Sequence, residues 1–174
     1  MASIARSLRA VRPATLCKTI PVRTIFRARA FSSSPVVLEK RYTKDHEWID
    51  INRQKLTGII GISEYAAEAL GDVVYVELPE TDGDWVSAGD AIGAVESVKS
   101  ASDINSPVKC KVTVVNTALE EKPSIINQVP EDDSAGGGWL AKVEVDESSL
   151  EEFDALMSAE EYATYSKEVH DEDH

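Results

Sequence analysis

Gly83-Asp84-Trp85-Val86-Ser87-Ala88-Gly89-Asp90 leads directly into Ala91-Ile92-Gly93-Ala94-Val95-Glu96-Ser97-Val98-Lys99-Ser100-Ala101-Ser102-Asp103. The first stretch reads GDxVxxGD. Glycine suits such positions because tight turns between strands need positive φ, which residues with a Cβ resist. Gly-Asp pairs occur in many β proteins, so the pattern gains specificity only from its surroundings. Those are Glu96-Ser97-Val98-Lys99 about ten residues on, then Asn105-Ser106-Pro107-Val108. A lysine on a protein surface is ordinarily a solubilising charge. Lys99 differs in following an apolar, β-branched-rich run (Ala91, Ile92, Val95, Val98) and preceding small polar residues.

Working outward, Trp85-Val86 and Ala91 to Val98 are strand candidates on either side of a turn at Ser87-Ala88-Gly89-Asp90. Asp72 to Leu78 alternates around Val74, Val76 and Leu78 until Pro79 ends it. Tyr42 to Asp50 and Leu56 to Ile62 read as strands joined through Asn52-Arg53-Gln54. Between them and Asp72, Ser63 to Gly71 reads as a short helix, with Ser63 as cap, Glu64 at the positive end and Gly71 as stop. Val108 to Val115 is a further strand, and Trp139 to Val145 alternates cleanly. Ser149 with Glu152 and Ser158 with Glu161 have capping-box spacing and predict two closing helices. Leu150, Phe153, Leu156 and Met157 then share a packing face. Asp171-Glu172-Asp173-His174 reads as a solvated, frayed end. Short strands followed by helices predict a small, mostly β sandwich or barrel with helical decoration.

The 174 residues suffice for one domain and a tail. The net charge of −13 argues against a nucleic-acid partner, since little would neutralise phosphates. Residues 1 to 38 hold Arg6, Arg9, Arg12, Lys18, Arg23, Arg27 and Arg29 with no acid, a charge of +7, leaving −20 for the remainder. An Arg- and Ser-rich, acid-free start is the signature of a mitochondrial transit peptide, which places the protein in the mitochondrial matrix. We assign it to residues 1–34, with Arg29 shortly before the cut and residues 35–174 as the mature domain. A basic RNA-binding arm is the competing reading. No segment approaches the ~18 apolar residues of a membrane span. Of two cysteines, Cys17 falls in the leader, so Cys110 is a lone thiol with no internal disulfide to form. Packing within a strand is its expected role.

Further motifs point one way. Lys44-Asp45-His46-Glu47-Trp48, Gly58-Ile59-Ile60-Gly61-Ile62, Leu70 through Pro79 and Gly93 through Lys99 all resemble the H proteins of the glycine cleavage system. So do Pro123 through Asn127, Gly138-Trp139-Leu140 and Ser158-Ala159-Glu160-Glu161-Tyr162, a likeness spanning roughly residues 40 to 166. The resemblance implies a lipoyl/biotinyl-type barrel-sandwich hybrid of two antiparallel sheets, with one short internal helix and C-terminal helices. It implies a monomeric carrier rather than an enzyme, with lipoic acid in amide linkage to Lys99 at a β-hairpin tip. Val98-Lys99 is poor turn chemistry by itself, so that placement comes from the family alone.

The implied cycle has three partners. A pyridoxal-phosphate glycine decarboxylase loads an aminomethyl group, a tetrahydrofolate-dependent aminomethyltransferase removes it, and a dihydrolipoyl dehydrogenase reoxidises the arm. Lipoyl-attaching enzymes are the fourth class of partner, with Glu96, Ser97 and Val98 as their recognition contacts. The family shelters the loaded arm in a surface cleft, where carboxylates suit its ammonium. Glu47 and Asp103, with Asp45 behind them, are the candidates. His46 has no metal-ligand spacing around it and is expected to be structural, as are Trp48, Trp85 and Trp139 in a core. Two departures from the family stand out: Lys109-Cys110 where a small residue and Gly are usual, and a long Pro130 to Gly138 connection, expected to be a mobile acidic loop. Donation of lipoate to other enzymes is an alternative role. A lipoyl domain of a 2-oxo acid dehydrogenase complex would carry Asp-Lys-Ala around its lysine, and a hydrolase would need a nucleophile, base and oxyanion donors that we do not find.

Overall fold

The computed structural model describes residues 39–172, residue 82 excepted. The expected transit segment with Cys17, and the last two residues, lie outside the described residues. Strands β1 (Glu39–Tyr42), β2 (Glu47–Asn52) and β3 (Thr57–Ile62) form an antiparallel meander. Helix α1 (Glu64–Leu70) follows, capped as expected: the Ser63 hydroxyl accepts from Ala66 N–H, and Gly71 closes the end at φ 78°. Strands β4 (Val73–Glu77), β5 (Ala91–Ser97) and β6 (Ala101–Asn105) build a three-stranded antiparallel sheet. Then come β7 (Cys110–Val115), short helices α2 (Ala118–Glu121) and α3 (Ile125–Gln128), β8 (Ala141–Val145), α4 (Glu147–Ala155) and α5 (Ala159–Glu172). The second sheet has the order β1-β2-β3-β8-β7.

The core lies between the sheets: Ile49, Ile51, Ile60, Val95, Val112 and Val143 are all buried. In β8 the alternation read from sequence holds, with Ala141, Val143 and Val145 inside and Lys142 and Glu144 outside. β2 breaks the usual one-sided pattern because both faces are covered. Trp48 forms a second cluster with Tyr42, Trp139 and Tyr162 on the side away from the main core. Gly61 makes room for it, since a Cβ there would stand 2.6 Å from the indole.

Several expectations need correction. The single strand from Tyr42 to Asp50 is two strands, broken where His46 takes φ 72°. Trp85-Val86 forms one isolated bridge to Cys110 rather than a strand. Trp85 is 45% exposed with Lys109 above its ring, so it is no core residue. The cap of α4 is Asp146, reciprocally bonded with Ser149, three residues before the expected Ser149. The box at Ser158 and Glu161 forms as read.

The Pro130 to Gly138 connection is tied down rather than loose. Glu131 accepts from the Tyr42 hydroxyl (2.7 Å) and Glu64 N–H (3.1 Å), and Gly137 O accepts from the Asn116 side chain (2.9 Å). Lys109-Cys110 also has a structural use. Cys110 is fully buried in β7, and Lys109 reaches Asp146 at 2.8 Å, which fixes the start of α4.

Candidate functional site

The β5–β6 hairpin closes through Val98 and Lys99, with Glu96 paired to Ala101 below them. Neither tip residue has positive φ, so this is not one of the Gly- or Asn-dependent hairpin turns. Ser97 supplies what glycine would otherwise provide. Its hydroxyl accepts from Lys99 N–H (3.1 Å) and Ser100 N–H (3.0 Å), while its own N–H donates to Ser100 O (2.7 Å). The tip is also held from the side, where Val98 N–H donates to Asp72 O at 3.2 Å. Lys99 is exposed, and so is Val98, at 76%. Glu96 is exposed beside Tyr75 of β4. The Lys99 stem lies over Gly71, its Nζ 3.4 Å from where a Cβ on that glycine would stand.

Beside the hairpin a cleft of about 220 Å³ opens between β6, α1 and the β1–β2 turn. Its walls include Asp45, His46, Glu47, Tyr65 and Asp103, so the three acids singled out from sequence converge there. They are not equivalent. Asp45 and Asp103 are exposed, whereas Glu47 is only 2% exposed. One Glu47 oxygen accepts from Asn105 N–H at 3.0 Å and the other from the Thr43 hydroxyl. Burial pushes its carboxyl above the usual range, against those bonds, with the Asp45 charge adding to the rise. Glu47 is thus a strut between β2 and the end of β6 as well as a cleft residue.

Sequence reasoning left His46 as a merely structural residue. Its ring lines the cleft, and its Nδ1 lies 2.8 Å from the Tyr162 hydroxyl of α5, which lies 2.6 Å from Ser63 Oγ at the start of α1. Tyr65 packs against the imidazole at 4.5 Å between centroids. The only cue was a histidine in a turn position, too weak to separate from packing. No group of His, Cys, Asp and Glu among the described residues has the geometry for a metal ion.

An exposed lysine on a braced hairpin beside an acidic cleft narrows the comparison with known proteins. The family model for the glycine cleavage H-protein matches residues 40–169. This chain belongs to the glycine cleavage H-protein family. It is 46% identical over 129 residues to the glycine cleavage system H protein of Alcanivorax borkumensis, covering 74% of this chain and 94% of that one. To the mitochondrial H protein of Saccharomyces cerevisiae it is 46% identical over 123 residues, 70% and 69% of the two chains. The crystal structure of a glycine cleavage system H protein from Mycobacterium marinum superposes with a TM-score of 0.59 at 41% identity, covering 72% of this chain and 94% of that one. The two antiparallel sheets are therefore the barrel-sandwich hybrid of lipoyl domains, and the H protein's role is that of lipoyl carrier in glycine cleavage.

Proposed function

We propose that the Lys99 Nζ is the atom acylated by lipoic acid, and that the neighbouring cleft shelters the far end of the resulting arm. The observation that carries this reading is an exposed primary amine on a hairpin tip braced by Ser97, next to a cleft with carboxylates at its rim. The residues fit the group. Lysine forms a stable amide, and its stem plus the acyl chain reaches on the order of 10 Å, counted from bond lengths. When bound, lipoate supplies the sulfur pair that holds a one-carbon fragment from glycine. Tethering keeps it at high effective concentration for each enzyme that docks.

The chain's own residues do the rest. Glu96 and Val98, both exposed, are contacts for the lipoyl-attaching enzyme, and Ser97 presents them by fixing the turn. Asp103 and Asp45 face the ammonium of the cargo, while Glu47 adds charge and holds the β6 end in place. Glycine decarboxylase, aminomethyltransferase and dihydrolipoyl dehydrogenase are the docking partners, met by a monomer in the mitochondrial matrix after removal of residues 1–34. The hard chemistry belongs to their cofactors.

Intact mass of the mature protein from its own mitochondria tests this directly. A lipoyl increment that maps to Lys99 and disappears in Lys99→Arg is expected, together with loss of glycine oxidation. An unmodified mass under lipoate-replete conditions, or glycine oxidation sustained by Lys99→Arg, overturns the assignment.

A further inference from the structure

His46 sits in the β1–β2 turn with its ring packed among Tyr65, Tyr162 and Tyr165 at the edge of the cleft. Its φ of 72° is uncommon for residues with a Cβ, and His, Asn and Asp are the side chains that adopt it most readily. The surroundings hold it there: His46 O accepts from Ser63 N–H at 2.8 Å, and Thr43 N–H donates to Glu47 O at 2.9 Å across the turn. Backbone strain sustained in this way gathers at binding sites.

The hydrogen bonds around the ring decide which nitrogen carries the proton. Ser63 is 0% exposed, and its Oγ has two neighbours, Ala66 N–H at 3.1 Å and the Tyr162 hydroxyl at 2.6 Å. The amide can only donate, so the Ser63 hydroxyl proton has a single acceptor, the Tyr162 oxygen. The alternative leaves a buried O–H unpaired, which is the costly arrangement. Tyr162 must therefore turn its own proton toward His46 Nδ1, 2.8 Å away. Nδ1 is then an acceptor, and the proton of the neutral ring sits on Nε2. That nitrogen has no protein partner among the described residues, and it is not among the sealed atoms lacking one, so it is open to a ligand. We propose that His46 is a binding residue of the cleft that donates Nε2–H to an acceptor on the docked arm, with Ser63 and Tyr162 as positioning residues that select this tautomer. The inference rests on the cleft reading above. It completes the site's chemistry: the rim acids take the cargo's cation, and His46 is the neutral donor beside them. Burial holds the imidazole below its ordinary pKa and pushes Tyr162 up to about 12, both consistent with a neutral ring and a protonated phenol.

The test uses the full mature chain in two states. In the unloaded protein, ¹⁵N-imidazole NMR is expected to show His46 with Nε2 protonated and Nδ1 bare, and Tyr162→Phe is expected to lose that single tautomer. Protonation at Nδ1 in the wild type overturns the proposal. In the lipoylated, cargo-loaded protein, His46→Phe is expected to shorten the lifetime of the cargo about fivefold, the worth of one net hydrogen bond. His46→Gln, which returns an N–H near the Nε2 position, restores most of it. Both variants meet the same backbone strain, so an equal loss in Phe and Gln overturns the donor role, as does an unchanged lifetime in Phe. A wild-type lifetime no longer than that of the same cargo on free lipoamide fails the cleft reading itself. The unloaded NMR result separates that failure from one confined to His46.

Discussion

Ser97 lets an ordinary dipeptide make a hairpin tip, because one hydroxyl takes the N–H groups of Lys99 and Ser100, while Asp72 O takes that of Val98. The lysine was legible because Glu96-Ser97-Val98-Lys99 is specific; its exposure was not, because nothing in Val98-Lys99 signals a turn. Glu47 was legible as a cleft candidate only through the family resemblance, and its burial against Thr43 and Asn105 was not legible at all. That burial has a pH signature. The folded-state pKa of Glu47 lies above the ordinary 4.5, so the folded protein takes up this proton before the unfolded chain does. Its contribution to stability therefore rises as pH falls through the folded value and levels off below 4.5. Urea melts of the wild type and Glu47→Gln between neutral pH and pH 4 are expected to show the wild type gaining on the variant as acid is added. A constant difference would contradict the buried-carboxylate account.

At the scale of elements, β3, β4 and β8 stand close to where the sequence places them, but only β8 keeps its alternation. A bulge between Val73 and Tyr75 buries Val73 and Val76 and leaves Val74 54% exposed, contrary to the reading of Val74, Val76 and Leu78 as one face. β6 was missed because Ala101-Ser102-Asp103-Ile104-Asn105 offers a single large apolar residue. An edge strand lying over a cleft buries little, and only Ile104 of β6 is buried. The start of α4 was misplaced because Ser149 matches both a cap and the third residue after one, and only the structure shows Asp146 in the first role. Lys109 and the Ser148 hydroxyl, with Ser149 N–H, hold the Asp146 carboxyl well below the usual carboxylate range. A depressed pKa contributes stability above the ordinary 3.8 and loses it as pH falls through the folded value. Asp146→Ala is accordingly expected to lower the melting temperature at pH 7, with the gap to wild type shrinking in strong acid. Calorimetry of the pair across that range checks it.

For the whole molecule, charge is split along the chain: +7 on residues 1 to 38 and −20 on the rest. The folded part meets other proteins as a strongly acidic body, and long-range attraction of that kind is screened over about 10 Å at 0.1 M salt. Raising ionic strength is expected to increase the apparent KM of each partner enzyme for this carrier several-fold while kcat stays nearly constant. Steady-state assays along a salt series decide the point, and a KM indifferent to salt would mean that apolar contacts such as Val98 dominate docking. The fold class was legible because short strands punctuated by turns leave few alternatives. The cleft and its acids entered only through the family resemblance, because its walls come from residues 45 to 104, and the link to Tyr162 was not legible at all.

That last reach, from Tyr162 in α5 back to His46, makes the pocket a late arrival in the life of the polypeptide. A ribosome that stalls or meets a premature stop codon after β8 has already made every strand and the hairpin carrying Lys99, yet not the tyrosine that orients the imidazole. Such a product would also lack Phe153 of the core and the tyrosine that fixes which nitrogen of the imidazole holds its proton.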